Sequence, residues 1–67
     1  MNPLEYRSIL DRIGLSQVGA AELLGADPRT SRRWAAGERE MPMSVAILLR
    51  LLARKKITVE EIERAKR

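Results

Sequence analysis

Between Leu24 and Pro28 stand only three residues, Gly25, Ala26 and Asp27, and this spacing constrains the fold more than any other feature of the chain. The segment before it carries Ala20, Ala21, Leu23 and Leu24, and the segment after it opens on Pro28; both read as helices. Helices joined so closely cannot run antiparallel side by side. They must cross steeply. Gly25 suits the turn, because a connection this tight usually needs one residue at positive φ, where other residues are strained. Ala21 suits it too, since a small side chain lets the next helix pack close. This is helix-turn-helix geometry, although the same spacing also serves an ordinary corner in a small bundle.

The remaining punctuation is equally legible. Asn2, Pro3 and Glu5 supply an N-cap, a proline at the first helical position and a capping carboxylate. Tyr6, Ile9, Leu10 and Ile13 follow at helical spacing, and Gly14 supplies the stop. Ser16 caps the second helix. Asp27 caps the third, with Pro28 at its first position and Gly37 at its end. Pro42 opens a leucine-rich fourth helix running to about Lys55. Thr58 and Glu61 make a capping box for a short fifth helix expected to bury Val59, Ile62 and Ala65. On the fourth helix Val45, Leu48, Leu49 and Leu52 form one apolar stripe for the core. Ile47 and Leu51 lie off it, to be covered by the last helix or by a second subunit. No strand pattern, repeat or linker interrupts. The expected fold is all-α, a compact bundle of about five short helices in a single domain over residues 1–67.

Composition removes several classes of function. The chain has 67 residues, near the lower limit for folding on core burial alone, and 45% of them are hydrophobic. Without cysteine it has no disulfide or thiolate metal site, and without histidine it lacks the usual acid–base group near neutral pH. Its carboxylates are spread over exposed helix starts with no nucleophile–base pair beside them. An enzyme is not expected, nor is a cofactor. No apolar run reaches the ~18 residues a membrane span needs, and no charged-then-apolar leader opens the chain. A cytoplasmic protein is the expectation.

The net charge of +4 is concentrated. Residues 1–26 carry −1, residues 27–56 carry +5, and residues 57–67 balance to 0. A local positive excess recruits polyanions. Four arginines, Arg29, Arg32, Arg33 and Arg39, surround the only tryptophan, Trp34. Placed at ~100° intervals from Pro28 at zero, Arg32, Ala36, Arg29 and Arg33 fall within an outward arc of about 140° that begins at Pro28, while Trp34 lies on the other side with Thr30 and Ser31 beside it.

The stretch "LSQVGAAELLGADPRTSRRWAAGERE" resembles the helix-turn-helix of lambda-repressor-like (phage Cro-type) DNA-binding proteins. Leu15, Ser16 and Gln17 match the family's start of the second helix. Ala21 matches its small residue, Leu24 and Gly25 its Leu-Gly, and Arg33, Trp34 and Gly37 the close of its recognition helix. The resemblance covers about residues 13–54. Two positions depart from it: Ser31 stands where the family usually has a branched apolar residue, and Ala26 where it often has valine. The resemblance implies a helical bundle that binds duplex DNA, commonly as a dimer, and regulates transcription.

These readings converge on sequence-specific binding of double-stranded DNA through the major groove, by a repressor that acts by occupying a site. Pro28, Arg29 and Arg32 are the expected base-reading residues, since a guanidinium can pair with guanine O6 and N7. The phosphate backbone is assigned to Ser16, Gln17, Arg33 and Arg39, with free amides at the start of the second helix adding an anion site. Arg50, Arg54, Lys55 and Lys56 read as a solvated edge. A homodimer on DNA is expected, and a protein partner is possible. The rival readings are a docking module, such as a toxin-neutralising antitoxin, and a relic that no longer binds DNA. Ser31 is expected to hold its helix less well than valine would, with Ser31→Val adding about 1 kcal/mol through apolar burial.

Overall fold

Four of the five helices begin where a side-chain cap is encoded. In a computed structural model describing residues 1–67, the elements are α1 (Pro3–Ile13), α2 (Gln17–Leu24), α3 (Pro28–Ala36), α4 (Met43–Ala53) and α5 (Val59–Ala65), with no strand. Asn2, Ser16, Asp27 and Thr58 each accept a hydrogen bond from a backbone amide of the first turn they precede. Thr58 and Glu61 complete a reciprocal capping box, at 3.1 and 2.9 Å. Satisfying these otherwise orphaned amides fixes the helix starts.

The helix ends follow one pattern. Leu15, Ala26, Glu38 and Lys56 donate their amides to the carbonyls of Leu10, Ala21, Arg33 and Leu51, five residues back. This bond requires a left-handed residue just before the donor. Gly14, Gly25 and Gly37 supply it for α1, α2 and α3, and Lys55, at φ 59°, supplies it for α4. The fourth helix thus stops at Ala53 rather than near Lys55, and Pro42 is its N-cap rather than its first residue.

One hydrophobic core, aliphatic around a single aromatic pair, holds the helices together. Tyr6, Ile9 and Leu10 from α1 meet Ala20 and Leu23 from α2, Trp34 and Ala35 from α3, and Ala46, Leu49 and Leu52 from α4. Met41, in the α3–α4 connection, fills the remaining space. The radius of gyration is 10.9 Å, which matches the roughly 11 Å of a close-packed chain of this length. Trp34 is buried and stands edge-on to Tyr6, with ring centroids 6.0 Å apart. The inward placement read from its helical angle holds.

Two expected core faces are shifted. On α4 the fully buried line runs through Ala46, Leu49 and Leu52, leaving Val45 and Leu48 half-buried. The small Ala46 lets α4 approach closely, which turns the bulkier neighbours toward the rim. Ile47 remains 50% exposed, so α5 does not cover it, whereas Leu51 is half-buried. On α5, Val59 and Ile62 are half-buried but Ala65 is exposed. This helix is short and lies chiefly against α2, with only one face in contact. No helix is long and apolar enough to cross a membrane.

Candidate nucleic-acid interface

The packing of α3 against α2 is the densest between any two helices of the fold. Ala21 makes it possible, being completely buried with only a methyl group to accommodate. A chain of hydrogen bonds then ties three helices. The Tyr6 hydroxyl from α1 lies 2.6 Å from Ser31 Oγ on α3, and Ser31 Oγ donates to the backbone carbonyl of Gln17 on α2, at 2.8 Å. A serine has one proton, and a carbonyl can only accept. With that proton on Gln17, the Tyr6 phenol must donate to Ser31.

This relay corrects the expectation for Ser31. Its small polar side chain is no weak point, since it is fully buried and uses its hydroxyl as both donor and acceptor. A valine there would strand the Tyr6 hydroxyl in the core. Ser31→Val is now expected to destabilise.

A second tie comes from Arg7, whose guanidinium donates to the carbonyl of Ala35 in the last turn of α3. The carbonyl end of a helix carries partial negative charge, which suits a cation. Tyr6 and Arg7 are neighbours on α1, so one turn of that helix grips α3 at two points.

The outer face of α3 is basic and unpaired. Arg29, Arg32 and Arg33 are exposed on it, with Ala36, while Ser31, Trp34 and Ala35 are buried on the opposite side. None of Arg29, Arg32, Arg33 and Arg39 forms an ion pair; the chain's three ion pairs use Arg50, Arg64 and Lys66. Pro28, Arg29 and Arg32 line one concave surface with Asp27 and Thr30 at the N-terminal end of α3. Asp27 is engaged as the cap, its Oδ1 accepting from the Arg29 amide at 2.8 Å.

Ser16 and Gln17 come together on a second concavity, lined also by Arg7, Leu10, Asp11 and Leu15. The Ser16 hydroxyl accepts from the Gly19 amide at 2.9 Å, so its oxygen serves the helix. The amides of Gln17 and Val18, at the start of α2, have no acceptor within the chain. Arg33 and Arg39 line neither concavity; both stand exposed, Arg33 on the edge of α3 and Arg39 in the connection to α4. Arg7, beside Ser16 and Gln17, is the residue that reading the sequence missed. Nothing local in α1 distinguishes it, because its partner lies 28 residues away.

Two side chains titrate away from their ordinary values. Burial pushes the Tyr6 phenol above 10.0, partly opposed by its hydrogen bond with Ser31. The Glu5 carboxyl is held below 4.5, first by a hydrogen bond from Arg50, with partial desolvation opposing and the charges of Arg50 and the N-terminus adding. Neither group lies on the basic face of α3.

Comparison with protein-family models, curated proteins and solved structures finds no match for this chain. The roles of these side chains therefore rest on their own geometry and chemistry.

Proposed function

We propose that this chain is a sequence-specific duplex-DNA-binding protein of the helix-turn-helix kind, with α3 as the recognition helix. The observation that carries the reading is the outer face of α3: exposed arginines without internal partners, on a helix fixed from behind by Tyr6, Arg7 and the α2 packing. A rigid cationic helix of this size fits the major groove, which admits an α-helix. Pro28, Arg29 and Arg32 would meet base edges. Arg33 and Arg39, with Gln17 and the free amides of α2 beside Ser16, would hold phosphates and set the register.

The resemblance to lambda-repressor-like proteins agrees with this reading and extends it to a transcriptional repressor that works by site occupancy, acting in the cytoplasm as the composition suggests. A single recognition helix makes few base contacts, so pairing on DNA is part of the proposal, with recognition helices ~34 Å apart. The exposed Leu4, Met43 and Ile47, at 69, 67 and 50%, favour a second reading, a protein-docking module such as an antitoxin.

Selecting bound fragments from random duplex DNA separates the two. A recovered motif with two half-sites about one helical turn apart supports a DNA-reading dimer. No enrichment, together with weak and salt-insensitive retention on heparin, would favour the docking module. Sedimentation showing monomers both free and on a palindromic site would count against pairing.

A further inference from the structure

Away from α3, where α1 and α4 cross, Glu5, Ser8 and Arg12 on one wall face Arg50 and Arg54 on the other across a cavity of about 220 Å³. Three guanidiniums against one carboxylate leave an excess of two positive charges. Glu5 holds one of them, Arg50, through Nε and Nη2 at 3.3 and 3.4 Å. Arg12 and Arg54 are exposed and form no hydrogen bond or ion pair through their side chains. Their positions near the carbonyl ends of α1 and α4 account for a cation at each helix end taken singly. They do not account for both lining one cavity whose single carboxylate is already paired with Arg50, which leaves a net positive field that attracts an anion.

We infer that this α1–α4 cleft is a binding site for a compact dianionic phosphate, the terminal phosphomonoester group of a small molecule. A guanidinium presents donors in a rigid fork that matches the oxygens of such a group. Arg50, paired with Glu5, is the pre-oriented element of the site, and Arg12 and Arg54 are the free arms that meet the ligand. The Ser8 hydroxyl supplies a neutral donor. The dianion matches the excess of two charges, whereas a phosphodiester of nucleic acid brings one charge per linkage. The buried Ile9 on α1 gives the cleft an apolar floor that keeps water from one side. The site shares no residue with the basic face of α3, so its occupancy and DNA binding can be read separately.

Titrating the isotope-labelled full chain with inorganic phosphate at mildly alkaline pH and constant ionic strength, and following amide NMR shifts, tests the inference. Saturable shifts are expected at residues 8–12 and 50–54 but not along α3. Arg12→Gln and Arg54→Gln should each weaken binding by about tenfold, the loss expected for one charge-assisted contact. Both side chains are exposed and partnerless, so melting temperatures should fall only slightly, by the loss of one helix-end charge, and Arg12→Lys should restore part of the affinity. Non-saturating shifts, shifts spread equally over Arg29–Arg33, or parental affinity in both glutamine variants would overturn the site. A short duplex that moves the same amides, and loses affinity in the same variants, would assign the cleft to the nucleic-acid backbone instead and overturn the small-molecule ligand.

Discussion

Ser31 illustrates how one side chain can set the relation between three helices. Its hydroxyl takes a proton from Tyr6 and gives one to the Gln17 carbonyl, all within the core. Replacing it with valine removes the hydrogen-bond partner of the phenol and adds a methyl group to a fully buried site. Ser31→Val should therefore cost about 1–3 kcal/mol, the range for stranding a buried polar group, with overpacking adding to it. Denaturant unfolding checks this; a midpoint at or above the parental one would mean the relay is dispensable. The phenol itself gives an alkaline test. Its folded value is raised above 10.0, so the stability linked to it is fully present below pH 10.0 and is lost as pH rises through the raised value. Ultraviolet titration of the native protein should place phenolate formation above pH 10.0, and in Tyr6→Phe the corresponding alkaline loss of stability should disappear.

At the scale of the helix, the contrast lies between ends that glycine makes easy and one that it does not. Gly25 and Gly37 both adopt positive φ, but a Cβ on Gly25 would meet nothing within 4 Å, while on Gly37 it would lie 3.0 Å from Pro3 Cγ. Gly25→Ala should cost about 1 kcal/mol from backbone strain, and Gly37→Ala more, because the Pro3 ring must also give way. Lys55 already bears that strain, so Lys55→Gly should raise stability by about 0.5 kcal/mol, net of the extra freedom glycine gains on unfolding. Thermal melts of the three variants rank them, and equal losses for the two glycines would remove the Pro3 contact from the account. Helix starts and the three glycine ends were legible in the sequence because caps are local, acting within a few residues. The end of α4 was not, because a lysine does there what glycine does elsewhere. The ties of Tyr6 to Ser31, Arg7 to Ala35 and Glu5 to Arg50 span 25, 28 and 45 residues, and no local pattern encodes such pairings. The outward arginines of α3 were readable from helical period alone, whereas the grip of α1 on that helix needed the fold.

Across the whole molecule the basic outer face lies on α3, while the large apolar residues left exposed are Leu4 on α1, Val18 on α2 and Met43 and Ile47 on α4. The arginines of α3 should carry different roles. Arg29 and Arg32 share a concave surface at the N-terminal end of α3, the part of a recognition helix that reaches base edges. Arg33 and Arg39 lie outside that surface, on the helix edge and in the following connection, better placed for phosphates. Arg29→Ala or Arg32→Ala should cost roughly 1–3 kcal/mol on the preferred site and flatten preference at one or two base pairs. Arg33→Ala and Arg39→Ala should weaken binding to all sequences alike and lower the salt slope by about one each. None of the four side chains has a partner inside the chain, so none should lower the melting temperature appreciably, and binding losses can be read without correction for unfolding. Titrating the four variants against the selected duplex and a scrambled one, at two salt concentrations, assigns each role. If all four bind as the parent does, the basic face is solvated surface, and the exposed Leu4, Met43 and Ile47 become the place to look for function.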